Sequence, residues 1–233
     1  ATSEIVIEGV IMPNERKDEG PFGEFTGYMA SDKRPRPVLH VNAITHRNDP
    51  ILTISCPGPP IDDSAVILCL SISAQILDDL KSRGFKVKMV YLPLEGISNM
   101  VVVSTEVPFP NYARYLANAI WGSRAGRNAY YLVIVEDDID VTDMTQVLWA
   151  LTTRCHPYNG IFRVKDTVGH PLLPFLTPQE RKSDRGAQVL FDCTWPKDWG
   201  KENIPIKASF DTIWPVEIQE KVLKKWTKYG YDK

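Results

Sequence analysis

The stretch YYLVIVEDDIDVTDMTQVLWALTT, residues 130–153, contains a predicted strand, an acidic turn and a predicted helix in direct succession. Residues 130–135 are apolar, as a buried strand requires. Asp143 and Gln146 have the spacing of a capping box, so a helix is expected over residues 145–153. A buried strand joined to a helix by a short turn is the building unit of an α/β layer architecture.

The preceding segment repeats this alternation. Asp62 or Asp63 can cap a first helix, and Gly84 is placed to end it. The predicted elements, in order, are a helix at 64–83, strands at 87–92 and 100–107, and a helix at 111–121. We therefore predict an α/β layered domain over residues 61–233.

Residues 1–60 are predicted to be mostly β. Residues 4–11 and 38–45 alternate apolar and polar side chains, and residues 51–55 form a third short run of the same kind. A long loop is expected at residues 13–37, which are rich in glycine, proline and charge. The fold class is thus α/β (α+β overall), with a short β-rich segment ahead of the layered domain.

The C-terminal third gives a weaker pattern. Residues 156–211 are rich in proline, glycine and charge, and we expect loops there. Residues 215–229 are predicted to be helical, with an apolar face made of Ile218, Val222, Leu223 and Trp226. That face requires an apolar surface, either on its own domain or on another subunit.

Composition excludes several classes of protein. The chain has 233 residues and a formal net charge of -2, with no basic cluster for nucleic acid or an anionic membrane. The longest apolar stretch, residues 65–77, is too short to span a bilayer. Glycine-rich phosphate-binding loops of the nucleotide-binding folds are absent, which argues against an unrelated nucleotide-binding protein.

The cysteines indicate a reducing compartment. The four residues are far apart and show no C-x-x-C spacing: Cys56, Cys69, Cys155 and Cys193. This argues against a zinc site and a disulfide scaffold, so we expect reduced core thiols and a cytoplasmic location. The chain starts at Ala1, almost directly with a strand, which is expected of a fragment or a processed product.

The segment EGPFGEFTGY, residues 19–28, carries the strongest chemical signal. Glu19 and Glu24 flank glycines and a proline, which favour a tight turn that can aim both carboxylates into one cleft. The aromatic residues of the segment can wall that cleft, and a carboxyl group held against such walls can donate a proton near neutral pH. On spacing alone, a solvated surface turn is the more common interpretation of such a segment.

Three further groups of residues are weaker candidates. Arg124, in the loop WGSRAGR at residues 121–127, can clamp a phosphate or be a solvated loop arginine. His40 and His46, beside strand ends, are expected to be structural. The apolar loop at residues 171–175 can line a substrate pocket.

The acidic residues of the opening stretch have two interpretations. They are Glu136, Asp137, Asp138 and Asp140. Carboxylates at the end of a strand can bind magnesium. The plainer interpretation is that these acids turn the chain and lie near the positive end of the next helix.

Taken with three later segments, the glutamate motif resembles the UbiD family of prenylated-flavin decarboxylases. The later segments are THRNDPI at 45–51, VIVEDDID at 133–140 and VLWALTTR at 147–154. The resemblance extends to residue 155 and is loose beyond it. It implies that residues 1–60 are the closing part of a split β-barrel flavin domain, and that residues 61–233 are a C-terminal oligomerisation domain.

The resemblance implies a reversible, non-oxidative decarboxylation of an aromatic or α,β-unsaturated carboxylic acid on prenylated FMN. Loss of CO2 from an sp2 carbon requires an electron sink, which the cofactor supplies, and then a proton donor. Glu24 corresponds to that donor, Glu19 to a glutamate that pairs with an arginine, and Arg124 to a residue that reaches the flavin phosphate.

In the family, the arginine, the ligands of Mn2+ and K+, and most flavin contacts belong to an N-terminal half outside this chain. The expected partners are that missing half, an aromatic acid substrate, and further copies in a dimer or hexamer, with neither nucleic acid nor membrane. The alternative is a non-catalytic assembly module of such an enzyme.

Overall fold

The computed structural model describes residues 2–29 and 32–231. The chain divides after Thr194 into two compact units. The first contains a β hairpin and a five-stranded mixed sheet, and the second contains short helices. The predicted domain boundary at residue 60 does not coincide with this division and stays a prediction.

The hairpin pairs β1 (Ile5–Glu19) with β2 (Arg34–His46) in antiparallel register. Its last pair brings Glu19 opposite Arg34. The loop expected at residues 13–37 is therefore wrong in extent, because both strands continue well into it. A two-stranded ribbon faces water on both sides. The backbones of these charged residues can therefore pair without the alternation of apolar and polar side chains that identifies a half-buried strand.

The third strand expected in this part of the chain is also wrong. Residues 51–55 have no regular structure, and the side chains of Ile51, Leu52 and Ile54 are exposed. Among the described residues, no strand pairs with this run. A β-like pattern forms a strand only where a partner satisfies its backbone groups.

The sheet has the order β3-β4-β5-β7-β6. Its strands are β3 (Val87–Tyr91), β4 (Met100–Thr105), β5 (Tyr131–Glu136), β6 (Ile161–Val168) and β7 (Arg185–Cys193). The three middle strands are parallel, and both edge strands are antiparallel to their neighbours. The α/β class predicted from the sequence is confirmed by this sheet and its covering helices.

Three helices cover the sheet and lie within about one residue of their predicted bounds: α1 (Asp63–Ser82), α2 (Tyr112–Trp121) and α3 (Met144–Thr153). The first two pack on the face that carries Val101 and Val103. The third packs on the opposite face, which carries Val102 and Val133. Because successive side chains of a strand point to opposite faces, the middle strands are buried on both sides.

Side chains define the starts of two of these helices. Asp62 accepts a hydrogen bond from the Ala65 N–H at 2.7 Å, and Gly84 follows the first helix with a φ of 82°. Asp143 caps the third helix by accepting from the Thr145 N–H. The expected capping box is incomplete, since Gln146 bonds to the Asp143 side chain and accepts from the Asp140 N–H instead.

Residues 156–211, expected to be loops, contain two strands of the sheet and the short helix α4 (Pro178–Ser183). That expectation is wrong, most clearly for β7, which lies inside the sheet. Its buried positions include Gly186 and Gln188, which are not residue types typical of a buried strand. The Gln188 amide is satisfied by donating to the Arg127 carbonyl at 2.7 Å, so tertiary contacts stabilise a strand whose pattern is weak.

The second unit contains α5 (Phe210–Ile213) and α6 (Val216–Leu223), followed by a 3-10 turn at Thr227–Tyr229. The helix expected over residues 215–229 is thus interrupted after Leu223. Trp226 stacks on Tyr231 with ring centroids 4.7 Å apart. The prediction that this tail packs on an apolar surface stays a prediction.

The cap of α1 predicts a pH-dependent stability. Hydrogen bonds from the backbone of Ala65 and Gly58 hold the pKa of Asp62 below its ordinary value. A depressed folded-state pKa stabilises the protein above the unfolded-state value, and this stabilisation is lost as the pH falls through the folded-state value. We expect the thermal midpoint of Asp62→Asn to lie below that of the natural chain at pH 7, and the difference to shrink below about pH 4.

Asp78→Asn, on the same helix, controls for the loss of one negative charge. A difference between Asp62→Asn and the natural chain that is equal at pH 7 and at pH 3 would contradict this role of Asp62.

Candidate functional site

Glu19 is the last residue of β1, at the end of the hairpin where the connecting loop begins. Its carboxylate lies 3.6 Å from the guanidinium Nε of Arg36 on β2. Both side chains are more than half exposed, and such an ion pair contributes little to stability. The hairpin register therefore fixes where Glu19 stands, while its carboxylate stays available to another partner.

Glu24 lies in the tight loop that follows the hairpin strand. The loop closes on itself, because the Gly27 N–H donates to the Glu24 carbonyl and the Glu24 N–H donates to the Tyr28 carbonyl. Gly27 has a φ of 77° and approaches Pro59 closely. Glycine is required there, since a side chain at that φ is strained and meets neighbouring backbone.

Contacts of the next two residues attach this loop to the layered domain. The buried Thr26 hydroxyl donates to the Leu172 carbonyl at 3.4 Å. The ring of Phe25 meets that of His170 edge to face, with centroids 5.8 Å apart. The half-buried Glu24 is thereby held against the loop between β6 and α4.

These elements enclose a pocket of about 260 Å³ that contains both glutamates. Its described lining residues are Glu19, Gly20, Phe22, Glu24, Asp32, Arg34, Arg36, His170, Pro171 and Leu172. Three carboxylates, two guanidinium groups and an imidazole converge with apolar side chains. The pocket can bind a small carboxylic acid, hold its ring against apolar walls and offer an acid for proton transfer.

The sequence identified two of the charged residues and one wall of this pocket. The expected apolar loop contributes Pro171 and Leu172 to this pocket, and its contact with a substrate stays a prediction. Asp32, Arg34, Arg36 and His170 were missed. They enter through the hairpin register and through docking of the glutamate loop, which sequence spacing does not reveal.

His170 has a defined orientation at the pocket wall. Its Nδ1 accepts the Leu172 N–H at 3.3 Å. The neutral ring then carries its hydrogen on Nε2, which leaves one donor available for a ligand.

Arg124 is not brought to this pocket. It is exposed, in the turn between α2 and β5. That turn is well defined, because the Ser123 hydroxyl donates to the Ile120 carbonyl and accepts from the Gly126 N–H. The turn presents the arginine on a fixed loop, and its contact with a flavin phosphate stays a prediction.

The acids after β5 have partners within the protein. Asp138 accepts two hydrogen bonds from Arg154, at 2.8 and 2.6 Å. Bonds from the Thr142 hydroxyl and N–H hold the pKa of Asp140 below its ordinary value. These contacts support the interpretation that the acids shape the turn before α3. Within residues 2–29 and 32–231, no group of three or more His, Cys, Asp or Glu side chains is arranged to hold a metal ion.

The two hairpin histidines make local contacts. His40 Nε2 lies 2.7 Å from a carboxylate oxygen of Glu15. His46 Nδ1 lies 2.8 Å from the Arg47 carbonyl oxygen. Neither histidine lines the glutamate pocket.

The glycine before His170 offers a test of how the pocket wall is built. A Cβ on Gly169 would lie 2.5 Å from the Arg185 carbonyl oxygen. We expect Gly169→Ala to lower the free energy of unfolding by about 1–3 kcal/mol, because the adjacent backbone must move. Denaturant unfolding measures this change.

Gly58→Ala is the matched control, since a Cβ there meets nothing within 4 Å. Its expected change is within about 0.5 kcal/mol. Equal stability of the two variants would show that the close approach at Gly169 is not a constraint.

Two models of one protein family match this chain. The carboxy-lyase family model described as the 3-octaprenyl-4-hydroxybenzoate carboxy-lyase C-terminal domain matches residues 65–193. The model described as the Rift-related domain of the same carboxy-lyase matches residues 1–60. The chain belongs to the UbiD family.

Individual relatives agree with this assignment. The chain is 33% identical to the pyrrole-2-carboxylic acid decarboxylase of Pseudomonas aeruginosa, over 99% of this chain and 48% of that protein. It thus spans about half the length of this relative.

Solved structures give the same result. The closed form of the vanillic acid decarboxylase of Sedimentibacter hydroxybenzoicus matches with a TM-score of 0.78 and 29% identity, over 97% of this chain and 46% of that one. The UbiD-class enzyme HmfF from Pelotomaculum thermopropionicum, in complex with FMN, matches with a TM-score of 0.74 and 29% identity, over 89% of this chain and 44% of that one. An evolved dimeric form of HmfF in complex with prFMN matches with a TM-score of 0.65 and 27% identity, over 87% of this chain and 42% of that one.

One property of the helices bears on membrane association. In the part of the chain that the structure describes, no helix combines the length and the apolar character needed to cross a bilayer.

Proposed function

We propose that this chain is the C-terminal portion of a UbiD-type decarboxylase. The reaction is the reversible, non-oxidative decarboxylation of an aromatic or α,β-unsaturated carboxylic acid on prenylated FMN. The observation that carries the proposal is the pocket in which Glu19 and Glu24 converge with Arg34, Arg36 and His170. An acid, cationic groups for a carboxylate, and apolar walls are the groups that the reaction requires of the protein.

The pocket fits one end of the cofactor–substrate assembly. Its volume of about 260 Å³ lies below the roughly 300–1,000 Å³ typical of sites that enclose a drug-sized ligand. It accommodates a small aromatic acid beside part of a flavin ring. In the proposal, the remaining contacts of the cofactor come from an N-terminal half of the enzyme, in keeping with the half-length match to relatives.

Glu24 delivers the proton that replaces CO2. When bound, prenylated FMN supplies the electron sink for the electron pair that CO2 leaves behind. Docking of Phe25 and Thr26 on the loop at His170 holds the Glu24 carboxyl at the pocket. A fixed donor at hydrogen-bond distance from the reacting carbon lowers the barrier for protonation.

Glu19 positions a cation over the reacting centre. In this chain its contact is the exposed guanidinium of Arg36, at 3.6 Å. A pair of this kind contributes about 0–1 kcal/mol, so a bidentate arginine from the N-terminal half can replace it. Arg36 is then free to contact the substrate carboxylate.

The pocket favours an aromatic or heteroaromatic acid as substrate. Phe22 and Leu172 offer apolar contacts to a ring, and His170 Nε2–H offers one hydrogen bond to a ring substituent. The related proteins named for pyrrole-2-carboxylic and vanillic acids act on compounds of this class.

The remaining elements of the proposal lie outside the pocket. Arg124 binds the flavin phosphate, and the ligands of Mn2+ and K+ lie in the N-terminal half. The enzyme is a homo-oligomer, a dimer or hexamer, and acts in the cytoplasm, in keeping with its four free cysteines.

A non-catalytic assembly module of such an enzyme is the alternative. The exposed face of α1 favours it, since Ile67 and Leu70 are more than 60% exposed. Apolar side chains in such a position are typical of a protein–protein contact.

Flavin titration of the chain together with the N-terminal half that the proposal requires distinguishes the two functions. We expect the chain to quench FMN fluorescence on binding, and Arg124→Gln to weaken this binding about tenfold through loss of a charge-assisted phosphate contact. Arg163→Gln, another exposed arginine, is the control and should bind as the natural chain does. Equal flavin affinity of Arg124→Gln and the natural chain, together with self-association, would favour the assembly module.

A further inference from the structure

We propose that Cys155 and Cys193 form a reversible disulfide when a hydroperoxide reaches the chain, which makes them a redox modification site. The two residues are remote in sequence, but the fold brings them together. Cys155 follows the last turn of α3, and Cys193 is the last residue of β7. Cys155 packs against the cluster of buried residues that contains Cys193. The expectation of core thiols is wrong for Cys56, which is exposed.

The surrounding backbone fixes both sulfur atoms. The Gly160 carbonyl oxygen accepts from the Cys155 thiol at 3.6 Å and from the Asp192 N–H at 2.8 Å. One carbonyl thereby connects the end of β7 to the segment after α3. A Cβ on Gly160 would approach the Cys155 sulfur to 3.0 Å, so the thiol lies in a close-fitting site.

The two cysteines differ in environment, which assigns their roles. Cys155 is half-buried, whereas Cys193 is fully buried in the core beneath α3. The hydrogen bond from Cys193 lowers the pKa of Cys155, while that bond and burial raise the pKa of Cys193. Cys155 is therefore the thiol that an oxidant meets first, and its thiolate is the more accessible nucleophile.

The chemistry is balanced by the oxidant alone. The Cys155 thiolate attacks one oxygen of hydrogen peroxide, the O–O bond breaks, and hydroxide leaves, giving a sulfenic acid. The Cys193 sulfur then attacks the Cys155 sulfur, and its proton leaves with the hydroxyl group as water. The hydroxide takes up the proton that the Cys155 thiol released, so the sum is loss of two hydrogen atoms from the protein and reduction of one hydrogen peroxide to two water molecules.

This site lies away from the glutamate pocket. The strand β7 starts beside the pocket loop, where the Gly169 N–H donates to the Asp184 carbonyl, and ends at Cys193. Nine residues of strand place about 25–30 Å between the two ends. The modification therefore involves none of the groups assigned to decarboxylation.

Peptide mapping tests the proposal. The chain carries Cys56→Ser, which removes the exposed thiol as a source of intermolecular disulfides. After treatment with one equivalent of hydrogen peroxide, alkylation and digestion, we expect one peptide pair joined through Cys155 and Cys193, one remaining alkylated thiol, and full release of the pair by dithiothreitol.

Two further variants make the result decisive. In the same background, Cys69→Ser should leave the joined peptides unchanged, and Cys155→Ser should abolish them while Cys193 remains alkylatable after denaturation. Recovery of Cys155 and Cys193 as separate alkylated peptides, or of Cys155 as sulfinic acid with Cys193 free, would overturn the proposal.

Discussion

Replacing Glu24 with glutamine is expected to lower turnover by roughly 10²–10⁴-fold, because an amide does not deliver the proton that replaces CO2. The measurement is the rate of CO2 release by this chain together with the N-terminal half that the proposal requires, loaded with prenylated FMN. Glutamine is close in size to glutamate, so the docking of Phe25 and Thr26 on the loop at His170 should persist. Folding and flavin binding are expected to stay near those of the natural sequence.

Glu8→Gln is the matched control for this variant. Glu8 is an exposed glutamate on β1, the strand that ends at Glu19, and it does not line the pocket. Its turnover should equal that of the natural sequence. If Glu24→Gln turned over at the same rate as Glu8→Gln, Glu24 could not be the proton donor.

Replacing Leu190 with alanine is expected to lower the free energy of unfolding by about 2–5 kcal/mol. Leu190 is 1% exposed and lies on β7, where it pairs with Leu132 of β5 beneath α1 and α2. Truncation leaves a cavity that the surrounding strands fill only in part. Denaturant unfolding, followed by circular dichroism, gives the change.

Leu148→Ala is the control for the loss of the same atoms. Leu148 lies on α3 and is 53% exposed, so we expect a change within about 0.5 kcal/mol. A similar effect of the two substitutions would mean that residues around 190 form a surface loop, as the sequence pattern suggested, and not an interior strand.

The layered domain could be predicted from the sequence where local signals agree with the fold. Apolar runs, Asp62 and Asp143 as caps, and Gly84 after the first helix set the bounds of three helices to about one residue. Each of these signals acts within one or two turns of chain. These signals can therefore be read from the sequence without knowledge of the tertiary structure.

The interior strand β7 could not be predicted for a physical reason. Gln188 occupies a buried position because the Arg127 carbonyl satisfies its amide. That carbonyl is 61 residues away in the chain. Without knowledge of this distant partner, a polar residue in a weakly apolar segment indicates a loop and not an interior strand.

The site divides in the same way. Glu19 and Glu24 were found because one short motif contains both. Arg34 and His170 reach the pocket only through strand pairing and through the contact between Phe25 and the loop after β6. The sequence therefore identified the acids that share one motif, but not the residues that only the fold brings close to them.

In the proposed reaction, this chain supplies the acid that protonates the carbon from which CO2 leaves. The measurement is decarboxylation of pyrrole-2-carboxylic acid and related acids in D2O by this chain together with the N-terminal half and prenylated FMN, followed by mass spectrometry of the product. We predict one deuterium on that carbon, formed at a rate that falls in Glu24→Gln and not in Glu8→Gln. Deuterated product formed equally fast by both variants would show that Glu24 is not the acid. Absence of CO2 release from every aromatic and α,β-unsaturated acid, with both halves present and the cofactor bound, would overturn the proposed reaction.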